Sequence, residues 1–450
     1  MEKNLTEGSV IKNLLVFSLP YLLSSFLQTL YGLADLFITG QFNGADVISA
    51  VSIGSQVMHM ITVMLLGLAM GTTVLISRSV GSGDKDKSCK VIGNTIVIFV
   101  ILALVLTVLL LAFCPLIIRA VFTPAQAVEE TGRYLRICFA GIPFILAYNL
   151  IASIYRGLGD SRTPLIFIAL ACLVNIFLDW LFIGPFKLGA AGAAFATVLA
   201  QAFSVFISII FFVKASSADG IKLKKKDFKL NKKILRSLFA IGLPVACQDG
   251  FIQISFMVIT AIANSRGLEV AAAVGIVEKI ICFLFLVPSA MLSAISAIAS
   301  QNIGASKTDR AVKTLFAGMG IALAFGLVSS VILQFASSAL VSKFTDDGVV
   351  VLLGAQYLRS YVFDCLFAAI HFCFSGYFCA WGYSYISFIS NVVSVLVVRI
   401  PGAWLASKFW PETLYPMGWA PPLGSLLSSI IYLVIYFIFI SKGKFSLEKK

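Results

Sequence analysis

Asn175-Ile176-Phe177-Leu178-Asp179 sets an amide and a carboxylate four positions apart inside an apolar run, residues 164–184. On a helix, side chains so spaced stand one turn apart on the same face. A run of this length is enough to cross a bilayer. At mid-membrane each ionisable group costs roughly 2.5–3.5 kcal/mol on insertion scales. A group held there at such cost faces a protein interior or a water-filled cavity, and it marks function. The stretch therefore predicts a membrane helix with a buried polar pair, and a first half of the chain built to hold it.

Composition agrees. Of 450 residues, 59% are hydrophobic and 12% charged, with a mean hydropathy of +0.98. Soluble proteins carry about 25% charged residues, and a soluble fold could not hide this much apolar surface. The fold class expected is an all-α polytopic membrane protein with the lipid bilayer as solvent. The net charge of +13 first suggests a nucleic-acid partner. The basic residues gather instead in short connections between apolar runs, as membrane topology requires, so no nucleic acid is expected. The nine cysteines show no metal-ligand spacing, and Cys172, Cys247 and Cys282 lie in apolar runs as small hydrophobes. No small-residue cleavage site follows the first apolar run, which reads as a retained helix.

Twelve runs are long enough to span: 14–38, 47–70, 91–114, 134–154, 164–184, 190–213, 238–263, 270–297, 312–340, 357–380, 385–406 and 422–440. Basic residues crowd one side. They are Arg78, Lys85, Lys87 and Lys90; Arg156 and Arg162; nine between Lys214 and Arg236; Lys307, Arg310 and Lys313; and six in the tails, including Lys449 and Lys450. Together these are 24 of the 34. The positive-inside rule then predicts a multi-pass protein of the plasma (inner) membrane with both termini cytoplasmic. Trp404, Trp410, Tyr415 and Trp419 read as an aromatic belt on the outer side. The polar stretch 214–237 reads as a cytoplasmic linker between an N-terminal six-helix lobe, 1–213, and a C-terminal six-helix lobe, 238–450.

The halves repeat. Leu19-Pro20 corresponds to Leu243-Pro244, Gly81 to Gly304, Phe122-Thr123 to Phe344-Thr345 and Tyr134-Leu135-Arg136 to Tyr357-Leu358-Arg359, all offset by 222–224 residues. Six spans per half is an even number, so both halves insert the same way up, as a parallel repeat. Two such bundles enclosing a cleft suit alternating access, which favours a transporter over a channel or an enzyme. No nucleophile elbow, HExxH or Walker-type GxxxxGK[ST] occurs, and His59 and His371 have no metal-ligand companions. No catalytic residue and no cofactor are expected.

The membrane acids are Asp35, Asp179, Asp249, Glu278 and Asp364. At 1.5 Å per residue Asp179 lies about 22 Å along its span, and Thr197 about 10 Å from the outer end of the next. Asp35, Asn175, Asp179 and Thr197 can thus share one depth. Low dielectric disfavours an ionised carboxylate, so two together can share a proton or hold Na⁺. Asn175 and Thr197 supply neutral oxygens. Arg399, inside the eleventh run, must face protein or water. The second half shows no matching pair, since an offset of 223 carries Asn175 to Val398 and Asp179 to Gly402.

Leu19-Pro20 with Asp35, Ser77–Gly81 followed by Gly83-Asp84, Tyr155-Arg-Gly-Leu-Gly-Asp160-Ser-Arg-Thr-Pro164, the Asn175/Asp179 pair, and Gly189 through Thr197 together resemble the multidrug and toxic compound extrusion (MATE) family, over nearly the whole chain. The resemblance implies twelve helices in two six-helix lobes, and an antiporter exporting cationic or amphiphilic organic compounds in exchange for H⁺ or Na⁺. It implies a coupling-ion site at Asp35, Asn175, Asp179 and Thr197. It also matches Asp364 to an acid on the tenth helix of the sodium-using branch. That branch has an acid on helix seven where this chain reads Gly250-Phe-Ile-Gln253, with Asp249 about a turn away. A second-lobe ion or substrate site would draw on Asp364, Asp249, Gln253 and Glu278. A monomer with a small organic substrate is expected. The alternative within the same superfamily is a lipid-linked saccharide flippase, which calls for a strongly cationic cavity.

Overall fold

The computed structural model describes residues 3–218 and 221–445, so Lys449 and Lys450 of the charge tally lie outside the described residues. Among the described residues the chain is helical, with no strand. The helices are α1 (Val10–Phe42), α2 (Ala45–Gly81), α3 (Lys85–Ala120), α4 (Val128–Ala140), α5 (Ile142–Gly157), α6 (Arg162–Ile183), α7 (Gly189–Ala218), α8 (Lys232–Asn264), α9 (Leu268–Leu284), α10 (Leu286–Gly304), α11 (Thr308–Val341), α12 (Gly348–Tyr361), α13 (Asp364–Trp381), α14 (Ser384–Ser394), α15 (Ile400–Phe409), α16 (Tyr415–Gly418) and α17 (Ala420–Ser441). Eleven spans qualify singly, and the α4–α5 pair, bent by 49°, makes up to twelve. These are the twelve regions that the apolar runs predict.

Lipid and protein solvate different helices. Only 11% of the most apolar stretch of α3 is buried within the protein, against 78% for α13. The first is a lipid-facing helix, apolar all round. The second lies in the interior of its bundle, where small and polar residues are tolerated.

By packing, the chain forms two compact units. One is Leu19–Gly242 with the residues before Leu5; the other is Leu5–Ser18 with the chain from Leu243 onward. The boundaries fall inside α1 and α8, beside Pro20 and Pro244. A proline in a helix removes one backbone hydrogen bond and crowds the preceding turn, so each helix is weakest where it changes unit.

In the first unit the helices meet through glycines. A Cβ on Gly71 would lie 2.5 Å from the Leu238 carbonyl oxygen, and one on Gly242 would strike the Leu68 backbone. Helices α2 and α8 therefore cross in backbone contact, as small residues permit. Gly157 abuts Ile76, while Ser77 Oγ and Thr73 Oγ1 donate to the Gly157 and Ser153 carbonyls at 3.0 and 3.1 Å. The polar stretch is ordered in part. A short 3₁₀ turn, Lys225–Phe228, sits on α3, where the Asn94 amide donates to the Asp227 and Lys229 carbonyls and its oxygen accepts from Asn231 N–H.

The second unit repeats the plan. Gly376 of α13 lies against the Leu292 carbonyl of α10, and Gly326 of α11 against that of Cys365. An aromatic core of Phe374, Tyr377, Phe378, Tyr432, Tyr436 and Phe439 fills one end. The broken helix recurs too: α12 and α13 part at residues 362–363, as α4 and α5 part at Gly141. Gly141 and Asp364 are 223 residues apart, so the acid stands at the break.

Candidate functional site

Three helices of the first unit build the site, each giving residues one turn apart. Helix α6 buries a stripe through Ala171, Asn175, Asp179 and Ile183, so the polar pair lies on the line that would otherwise carry only core side chains. Helix α1 presents Tyr31, Asp35 and Thr39. Asp35 is 3% exposed and Thr39 fully buried, its hydroxyl donating to its own helix at the Asp35 carbonyl, 2.7 Å away. Helix α7 presents Thr197 and Gln201.

Small residues bring α7 into place. Ala190, Ala193, Ala194, Ala196 and Ala200 are buried. A Cβ on Gly192 would come within 3.2 Å of Phe182 at the end of α6. Gly141, at the α4–α5 break, admits the side chain of Val198. With the backbones so close, Thr197 Oγ1 donates to Asp35 Oδ2 at 3.4 Å. The four residues read from the sequence are therefore together, since the Asp35 carboxylate has Asp179, Thr197 and Asn175 as its polar neighbours.

What surrounds the two carboxylates is neutral. Among the described residues neither has a basic side chain as an electrostatic neighbour. Asp35 Oδ1, both Asp179 oxygens and both polar atoms of the Asn175 amide make no hydrogen bond. Buried carboxylates are normally paired or hydrogen-bonded. Tyr31, Ala171, Asn175, Thr197, Ala200 and Gln201 line a narrow void with no room for a water molecule.

Sequence reasoning missed Tyr31 and Gln201, which neighbour each other and line this void. The signal was available: each lies four residues from a residue already singled out, Asp35 or Thr197, and so on the same helix face.

In the second unit the four acid and amide candidates do not converge. Asp364 is fully buried at the start of α13, with Arg399 and Ser425 as neighbours. Glu278 accepts from Thr260 Oγ1 at 3.1 Å and also neighbours Arg399. Asp249 lies apart, beside Cys379. Gln253 is half-buried on α8.

The MatE family model matches residues 20–181 and again 244–405. The chain is 28% identical over 408 residues to "Probable multidrug resistance protein YpnP" of Bacillus subtilis, covering 90% of this chain and 91% of that one. It is 25% identical over 378 residues to "Multidrug export protein MepA" of Staphylococcus haemolyticus, covering 84% and 82%. The solved structure titled "Outward-facing conformation of a multidrug resistance MATE family transporter of the MOP superfamily" superposes with a TM-score of 0.90 at 22% identity, over 98% of each chain.

Proposed function

The chain belongs to the MatE family, and on that premise we propose that it is a multidrug efflux transporter, a secondary antiporter that exports cationic or amphiphilic organic compounds in exchange for H⁺ or Na⁺. The observation that carries the ion coupling is the buried pair of carboxylates, Asp35 and Asp179, whose neighbours are all neutral. Two uncompensated negative charges in a low-dielectric interior are unstable. The site therefore draws a cation in and releases it only when the surrounding helices change. Asn175 and Thr197 offer neutral oxygens, to a bound Na⁺ or to the proton of a carboxyl group.

Exchange follows from this charge balance. With a cation bound the two carboxylates carry one net negative charge in place of two, which relieves their repulsion and favours one packing of α1, α6 and α7. Cation release restores the repulsion and favours a different packing of the same helices. A ligand that prefers one packing is linked to the ion that prefers the other. Alternating access then exports the organic cation as the ion enters. The distribution of basic residues favours cytoplasmic termini, and the reading is of a monomer in the plasma (inner) membrane.

The test is efflux of a fluorescent lipophilic cation from proteoliposomes, under an H⁺ gradient alone and a Na⁺ gradient alone. One gradient is expected to drive efflux, and its collapse to stop it. Equal efflux with neither gradient would remove the coupling reading. Translocation of a lipid-linked saccharide in place of the dye would favour the flippase.

A further inference from the structure

The polar stretch after α7 turns its charge one way. Between residues 221 and 236 the chain carries seven lysines and Arg236, all exposed, and a single acid, Asp227. Asp227 is 2% exposed. Its Oδ2 accepts from the Lys224 N–H at 2.8 Å and closes the 3₁₀ turn Lys225–Phe228 from within. The one negative charge of the stretch thus points inward, and the positive charges point outward.

A solvated linker needs no fixed place, yet this turn has one. Asn94 of α3 donates to the Asp227 and Lys229 carbonyls at 3.0 and 3.1 Å and accepts from the Asn231 N–H at 2.6 Å. Gly93 permits the approach, since a Cβ there would collide with the Asp227 carbonyl. These anchors set the depth of the turn. The apolar run of α3 begins at Val91, and Asn94 stands about 4.5 Å into it. Only 11% of the most apolar stretch of α3 is buried within the protein. The turn therefore rests where hydrocarbon gives way to headgroups, against a helix that lipid surrounds. Phe228 and Leu230 stay 37% and 50% exposed among the lysines. The start of α3 adds Lys85, Lys87 and Lys90 against Asp84 and Asp86.

We propose that the turn Lys225–Phe228 and the lysines around it form a docking surface for the headgroups of anionic phospholipids. Clusters of about four to eight basic residues at the cytoplasmic end of a membrane helix draw such lipids. Each ammonium meets a headgroup phosphate as a point charge, while Phe228 and Leu230 enter the acyl boundary. Asn94 holds the cluster at the depth where both contacts are made at once. The inference concerns the bilayer and does not depend on the ion or substrate proposed above.

The experiment places a reporter on the surface. Full-length F228W is reconstituted in phosphatidylcholine vesicles with rising fractions of brominated phosphatidylglycerol, whose bromines quench an indole in contact. Wild type in the same vesicles gives the signal of the native tryptophans for subtraction. Half-maximal quenching is expected at a lower fraction of brominated phosphatidylglycerol than of brominated phosphatidylcholine. In the F228W background, K225Q/K226Q should weaken this preference by about fivefold per lysine. K442Q/K444Q, which removes the same charge elsewhere, should retain it. Asn94→Ala keeps every charge but frees the turn, and should lose the preference. Equal quenching by the two lipids would overturn the proposal. So would a preference that survives K225Q/K226Q or a folded Asn94→Ala, or one lost equally in K442Q/K444Q. Should Asn94→Ala not fold, the exposed lysine variants still decide.

Discussion

Replacing Asp179 with asparagine removes one of two negative charges from the first-unit site with almost no change in volume. Asp35 and Asp179 face each other within hydrogen-bonding reach, with only neutral groups around them. Two unit charges about 4 Å apart at an effective dielectric constant of 20 repel by about 4 kcal/mol. This repulsion is what the bound cation relieves. In Asp179→Asn it vanishes, and the drive to bind the cation falls by roughly 1,000-fold, the equilibrium equivalent of 4 kcal/mol. Efflux driven by the ion gradient should drop to background. Exchange of labelled for unlabelled substrate across the vesicle membrane, which needs no gradient, should continue. The assay is the two measurements side by side on one proteoliposome preparation. Gradient-driven efflux at the wild-type rate would refute the reasoning. Loss of both activities in a folded protein would show that Asp179 contacts substrate instead.

Other expectations concern the scaffold. Gly242→Val drives a branched side chain into the Leu68 backbone; overpacking of this kind costs about 1–3 kcal/mol, so thermal unfolding should begin several degrees lower, and an unchanged midpoint would mean that α2 and α8 are not locked together. Arg266, between α8 and α9, donates through Nη2 to the carbonyls of Trp410, Pro411 and Thr413, at 3.2, 2.5 and 3.3 Å. Arg266→Ala should lose about 1.5–3 kcal/mol, read as faster proteolysis in the 410–415 segment, with partial recovery in Arg266→Lys.

The sequence revealed the site unevenly. Asp179 stood out because a carboxylate in an apolar run has no ordinary reason to be there, and the same reasoning reached Asp35, Asn175 and Thr197. Tyr31 and Gln201 carry no such flag: a tyrosine or glutamine in a membrane helix is unremarked until its partner across the helix interface is known. Arg399 was visible as a charge, but the backbone that carries it was not. Val395–Arg399, between α14 and α15, is a π-helical turn, a backbone feature that none of its residues announces. Likewise Gly141 reads as an ordinary helix glycine, although the bend there sets the approach of α7. The polar stretch read as a linker has a part, Lys225–Phe228, fastened to α3 by Asn94, because one amide in α3 satisfies several otherwise unpaired backbone groups.

The division of α1 between units bears on how the protein is made. Leu14 and Phe17 belong to the core of the second unit, with Ile295, Ile298 and Leu315. The residues they pack against follow almost 300 positions later in the chain. At 5–20 residues per second that is a wait of about 15–60 s. The leading turns of α1 must spend it in the membrane without their native neighbours, while Leu19–Gly242 already holds everything it needs to close. Leu5–Ser18 is therefore made long before its partners and settles only once they arrive, and deleting it should spare the first unit and leave the second incomplete.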